Sequence, residues 1–229
     1  MHAYPEQERD MGGMIPLRDA SREPNRYPLA TTSIIVVNAL VFALEIMGGD
    51  AFVSRWALLP SAISSGHHLV TIFTAMFMHA GWMHIIGNMI FLHAFGPEVE
   101  DAMGSGRYLA FYLLCGIVAA LGQVAVAPHS TVLNLGASGA IAGVMGAFLV
   151  TYPADRIKAV FFFFIFFKTT FIPAALLIGV WFVMQIFDQV GAVAATQGGG
   201  VAYAAHVSGM ICGAVIARPF ESFRRQWEA

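Results

Sequence analysis

The chain has 229 residues, 58% of them hydrophobic and only 11% charged, with a mean hydropathy of +0.69 and a formal net charge of -2. Soluble domains are about 45–50% apolar and about 25% charged, so this composition excludes an ordinary soluble globule and points to a multispan membrane protein. The near-neutral balance offers no basic field for nucleic acid. The two cysteines, Cys115 and Cys212, both fall inside apolar segments. They read as buried structural thiols and not as a disulfide framework or a metal site.

Residues 1–28 are polar and irregular and contain no apolar core of signal-peptide type. They are expected to form a disordered or surface-lying cytoplasmic tail. Six apolar segments then follow that are long enough to span a bilayer, which takes about 20 residues. They cover about 29–47, 82–100, 108–127, 138–153, 170–190 and 201–217. The run Phe161–Phe167 lies between Lys158 and Lys168. It is too short to span and reads as an interfacial segment; counted as a span, it would make seven. Charge separates the two counts. With six spans and both ends inside, every Lys and Arg except Arg55 lies on the inner side, as the preference of positive charge for the cytoplasm requires. The expected architecture is an all-α, six-helix membrane bundle with both termini cytoplasmic: a tail at 1–28, a core at 29–218 and a second tail at 219–229.

This topology carries four polar residues to similar shallow depth in the outer leaflet. The second span begins near Trp82, with His84 and Asn88 in its first two turns. The fourth begins at Ser138, within Gly136-Ala137-Ser138-Gly139, and the sixth begins near Val201 and carries His206 roughly two turns down. Polar groups in lipid are costly and are functional candidates by default. His84 and Asn88 are spaced i, i+4 and share a face. That face serves either as interhelical hydrogen-bonding glue or as the lining of a polar interior. Small residues surround Ser138 and recur at Gly209 and Gly213 below His206, so helices four and six can approach closely. A serine and a histidine brought together there have the makings of a nucleophile and its base. No Asp or Glu lies near His206 in sequence, which favours a dyad over a triad. The free backbone N–H of Ser138 at a helix N-terminus, with the His84 ring and the Asn88 amide, could bind an oxyanion.

The residues that carry this chemistry resemble the rhomboid intramembrane serine proteases. The likeness rests on three stretches in order: His79-Ala80-Gly81-Trp82-Met83-His84-Ile85-Ile86-Gly87-Asn88, then Gly136-Ala137-Ser138-Gly139-Ala140-Ile141-Ala142-Gly143, and Ala205-His206-Val207-Ser208-Gly209 with Gly213. Glu100 with Gly104-Ser105-Gly106-Arg107 resembles the family's turn between helices two and three. The resemblance implies Ser138 as nucleophile, His206 as base, and His84 and Asn88 at the oxyanion site. It also implies cleavage of the transmembrane segments of other membrane proteins without a cofactor. The shallow depth of the four polar residues puts the cut near the outer leaflet. No carboxylate or cysteine completes a metal site with His79 and His84. A compact multi-pass chain without a visible transit peptide is expected in a bacterial inner membrane. Partners are then the lipid bilayer and transmembrane substrates, not nucleic acid. Helix five would gate substrate entry, with Trp181, Phe182 and Phe187 as gate candidates or, equally, lipid-facing aromatics. Glu100 is read as a structural brace, His79 as an interfacial hydrogen bonder and His93 as a buried structural histidine. One departure is Ala142, where many members carry an aromatic that packs on the catalytic histidine. The alternatives are a non-cutting rhomboid-like binder of transmembrane clients, which usually lacks the serine or the histidine, and a small transporter. A transporter needs a polar path across the whole membrane, and here the polar residues stop in the outer half.

Overall fold

The computed structural model describes residues 12–163, 166–194 and 203–221. It is mostly helical. After a strand β1 (Gly12–Asp19), the long helix α1 (Leu29–Trp56) leads into two short helices, α2 (Pro60–Ser64) and α3 (Thr71–Thr74), and a 3-10 turn (Ala75–Phe77). Then come α4 (Trp82–Met103), α5 (Ser105–Val126), α6 (Ser138–Thr151), strands β2 (Arg156–Phe163) and β3 (Phe166–Pro173), α7 (Ala174–Ala194) and α8 (Tyr203–Phe220). Among the described residues, α1 and α5 are each long and apolar enough to cross a membrane. The segment Thr71–Phe77 joined to α4 through an 89° bend forms a third such unit if the pair counts as one.

The apolar segments end where backbone chemistry ends them. Gly49, at φ 58°, breaks the regular turn inside α1. Gly104, at φ 81°, is the single residue between α4 and α5. A side chain at that φ would meet its own backbone, so glycine permits the abrupt reversal. The start of α1 has no side-chain cap of its own. The Glu100 carboxylate on α4 instead accepts from the N–H groups of Ala30 and Thr31 at 2.8 and 2.7 Å, and from the Ser105 hydroxyl at 2.6 Å. The brace expected of Glu100 is present, and it satisfies helix N–H groups that have no intrahelical acceptor.

The core surrounds α6, which is buried from Gly139 through Phe148. Leu92, Phe95 and Val99 of α4 and Tyr108, Phe111, Tyr112 and Cys115 of α5 are all fully buried in the same cluster. A smaller apolar cluster of Leu58, Ile63, Ala75 and Val124 ties the segment between α1 and α4 to the C-terminal end of α5.

The all-α expectation is corrected by a three-stranded antiparallel sheet of order β1-β2-β3. The Phe161–Phe167 region is a β-hairpin, with Phe161 opposite Lys168 and Met14 opposite Phe161 on the other side. Val160 and its run of aromatic neighbours favour a pleated surface over a helix. Of the two expectations for 1–28, disordered or surface-lying, disorder does not hold for residues 12–19, which are strand β1. Ile157 and Ala159 turn inward and are fully buried. Behind the sheet, Arg22 forms an ion pair with Asp155, lies 3.7 Å from Asp19, and stacks 3.8 Å above the Tyr152 ring. Residues 1–11 and 222–229, which complete the two expected tails, lie outside the described residues. His93, expected to be buried, is exposed. Cys115 is buried as expected, while Cys212 is only half-buried.

Candidate active site

Ser138 is the first residue of α6. It follows a loop anchored by the Gly136 N–H, which donates to the Ala75 carbonyl at 2.9 Å. His206 is the fourth residue of α8, one turn down and not two, because the helix begins at Tyr203. Two helix ends meet here because nothing larger than hydrogen stands between the helices. A Cβ on Gly209 would strike the Gly139 carbonyl oxygen, one on Gly213 the Gly143 carbonyl oxygen, and one on Gly146 the Met210 carbonyl oxygen. The small residues thus let α6 and α8 pack backbone against backbone. The Ser138 hydroxyl and His206 Nε2 then lie 2.7 Å apart, within hydrogen-bond distance. His206 is 6% exposed.

His84 and Asn88 reach the same place from α4. Together with Phe91, Ser138, Ala142, Trp181, Tyr203 and His206 they line a cavity of about 330 Å³. The Ala80 N–H donates to His84 Nδ1 at 3.3 Å, so in the neutral ring the proton sits on Nε2. Nε2 lies 3.0 Å from where a Cβ on Gly136 would stand, and that same point is 3.5 Å from the Ser138 hydroxyl. The empty side of Gly136, whose φ is 140°, is therefore the space bounded by the serine oxygen and the imidazole donor. Asn88 is buried, but its amide donates to the His84 carbonyl of its own helix at 3.0 Å. It lines the cavity with one donor turned back on the helix. The structure brings all four expected residues to one cavity, where one Asn88 amide N–H is taken up by the His84 carbonyl and the second is left over.

Several neighbours were not legible as site residues in the sequence. Trp181, a loose gate candidate, packs on His206 with ring centroids 5.6 Å apart at 43°. Tyr203 lies edge-on to the same ring at 6.4 Å and 83°. Phe182 is half-buried against the core, and the Phe187 side chain lies outside the described residues. His79 is not interfacial: it is 2% exposed, and its ring meets His84 edge-on at 5.2 Å. Its backbone N–H donates to both carboxylate oxygens of Glu45, at 3.1 and 3.0 Å. Glu45 is a buried acid within α1, and an ionisable residue in so apolar a segment was the signal that could have found it. Among the described residues no group of three or more His, Cys, Asp or Glu is placed to hold a metal ion.

Comparison with known proteins identifies the family. A family model described as the Rhomboid domain matches residues 66–222, more than half of the chain. The rhomboid protease GluP of Bacillus subtilis is 34% identical over 137 residues, covering 58% of this chain and 26% of its own. The chloroplastic rhomboid-like protein 11 of Arabidopsis thaliana is 32% identical over 152 residues, covering 62% of this chain and 49% of its own. The putative rhomboid protease YdcA of Bacillus subtilis is 36% identical over 76 residues, covering 33% of this chain and 38% of its own. The chain thus spans no more than about half the length of these relatives. It is an integral membrane protein, and with the domain match running through α4, α6 and α8, the chain belongs to the rhomboid family.

Proposed function

We propose that this protein is an intramembrane serine endopeptidase that cuts transmembrane segments of other membrane proteins near the outer leaflet. The observation that carries this reading is the 2.7 Å approach of the Ser138 hydroxyl to His206 Nε2 inside the cavity that His84 also lines. His206 Nε2 accepts the serine proton as the Ser138 oxygen attacks the scissile carbonyl carbon. The carbonyl oxygen becomes an oxyanion, met by the Ser138 N–H, which has no intrahelical acceptor, and by the His84 Nε2–H. Asn88 adds a donor through the amide N–H that the His84 carbonyl does not use. The tetrahedral species collapses, the C–N bond breaks, and His206 returns the proton to the leaving amine. Water, deprotonated by His206, then attacks the acyl-serine ester and releases the second product and the free serine. The chain's own groups and water suffice for each step.

In this reading α1, α4, α5, α6, α7 and α8 are six spans with both termini cytoplasmic. The support is the charge asymmetry that leaves only Arg55 outside. Residues 29–218 are then the catalytic core, between cytoplasmic tails at 1–28 and 219–229. Helix α6 has 14 residues, which is about 21 Å at the usual rise, well short of a hydrocarbon core of about 30 Å. With Tyr152 and Arg156 at the inner interface, its first residue is held below the outer surface, at the depth of a substrate helix. A regular helix keeps its peptide bonds occupied, so substrates should carry small or helix-weakening residues near the cut. A bacterial inner membrane is the proposed location.

The test is cleavage of a reporter single-span membrane protein by the purified chain, beside Ser138→Ala and His206→Ala. Cutting by the parent and by neither variant supports the dyad. A parent that neither cuts nor is labelled at Ser138 by a fluorophosphonate would instead be a client-binding relative without activity.

A further inference from the structure

We infer that Trp181 is a positioning residue that holds the His206 imidazole in line with Ser138, so that α7 is both a wall of the substrate cavity and the clamp on the base. The inference rests on the dyad reading above.

An imidazole on one helix must be held about two side-chain torsions before its Nε2 can stay within reach of a hydroxyl on another. The helix that carries Ser138 gives little help. One turn below Ser138, α6 presents Ala142 to the shared cavity, a fully buried residue whose side chain ends in a methyl. Two rings that meet His206 come from elsewhere: Trp181 from α7, tilted 43° with centroids 5.6 Å apart, and Tyr203 from the start of α8, edge-on. Tyr203 shares the helix of His206, whereas Trp181 braces the ring from a different element.

The placement of Trp181 along α7 adds a second consequence. One turn before it, Leu177 and Ile178 are buried in the main core. Just after it, Val183 and Met184 are 49% and 57% exposed. Trp181 therefore stands on the buried face of α7, in line with Ala174, Leu177 and Ile178, while Leu176, Val180, Val183 and Met184 lie on the exposed face. It also lines the cavity that a substrate would enter. A polypeptide that presses on the indole presses on the base, so occupancy of the cavity and orientation of His206 are mechanically linked.

The experiment compares the parent, Trp181→Ala, Trp181→Leu, Trp181→Phe and Ser138→Ala, all purified in the same detergent. Fluorophosphonate labelling of Ser138 reports the dyad without a transmembrane substrate, kcat and KM are measured on the reporter substrate, and thermal unfolding reports folding. An aromatic pair of this kind corresponds to a rate effect of up to about tenfold. The expected result is that Trp181→Ala and Trp181→Leu label and turn over about tenfold more slowly with KM nearly unchanged, while Trp181→Phe recovers most of the rate. Parental labelling in folded Trp181→Leu, or a change in KM alone, overturns the clamp and leaves the dyad intact. If Trp181→Ala does not fold, the contrast between Leu and Phe decides. A parent that labels no faster than Ser138→Ala removes the dyad reading, and the clamp with it.

Discussion

Gly209 and Gly139 touch backbone to backbone: a Cβ on Gly209 would fall on the Gly139 carbonyl oxygen, one residue from the nucleophile candidate. That contact, repeated one turn below by Gly213 on Gly143, fixes the spacing of α6 and α8 and hence the 2.7 Å between Ser138 and His206. Gly209→Ala should force the helices apart at a cost of about 1–3 kcal/mol, the usual penalty of overpacking. Thermal unfolding in detergent would read the loss, and activity should fall further than stability because the dyad is stretched. A variant with parental melting and parental cleavage would mean the helices can separate without consequence.

Ser138→Ala and His206→Ala remove the nucleophile and the base in turn. Each should lower reporter cleavage by at least about 10³-fold, and the double variant should be little worse than either single one, because the two groups act as a unit. Melting temperature should stay near the parental value for Ser138→Ala, since its side chain is only half-buried. Additive losses in the double variant would argue against a shared step.

Gly136 sits at φ 140° with His84 Nε2 close over its empty side. Gly136→Ala adds backbone strain of about 1–3 kcal/mol and a methyl in the space reserved for an oxyanion. Loss of one such donor geometry is worth about 10²–10³ in kcat. The prediction is a fall of that order in kcat with KM little changed. A variant altered only in KM would place the methyl on the substrate path instead.

Glu45 accepts the His79 N–H at the entrance to α4. Glu45→Leu leaves that buried donor unpaired, a cost of about 1–3 kcal/mol, and loosens the segment that carries His84. Glu45→Gln keeps an acceptor oxygen and should restore most stability and rate. Equal damage from Gln and Leu would mean that the carboxylate charge, and not the hydrogen bond, is what the site requires.

Asp19 couples the sheet to pH. Burial and the neighbouring Asp155 carboxyl push its pKa up to about 6 from 3.8. A folded pKa above the unfolded one means that the native state binds the extra proton between those values. Docking of β1 should therefore tighten as pH falls from about 6 towards 4 and weaken as pH rises through 6. Hydrogen exchange of residues 12–19 at pH 5 and pH 7.5 measures this directly, and Asp19→Asn should flatten the difference. Stronger protection at pH 7.5 in the parent would reverse the assigned sign.

How the chain divides between legible and hidden follows from the range of the forces involved. Composition and apolar run length place α4, α5, α6, α7 and α8 within a few residues, because partitioning into lipid and helical hydrogen bonding are local properties of a segment. Helix α1 starts as expected but runs nine residues past Met47, through the break at Gly49 to Trp56. Ser138, His206, His84 and Asn88 were visible for the same reason: a polar residue in an apolar run stands out without a partner being known. The stripe of small residues even announced which helices could meet.

Pairings between distant segments left no comparable trace. Strand β1 lies more than 130 residues from β2, as Gly12 opposite Phe163 illustrates, and neither strand reads as such until the other is beside it. The direction of the Asn88 amide, the proton position on His84 and the anchoring of His79 by Glu45 depend on rotamers and neighbours. Trp181 read equally as a gate candidate or a lipid-facing aromatic, and its contact with His206 was visible only once α7 was laid against α8. By itself the sequence determined that this is a membrane protein with a serine and a histidine at the ends of two closely packing helices, since hydrophobicity and residue size act segment by segment. Only the tertiary structure decided that the two lie in hydrogen-bond reach and which side chains hold them there, because those contacts exist only after the helices have packed.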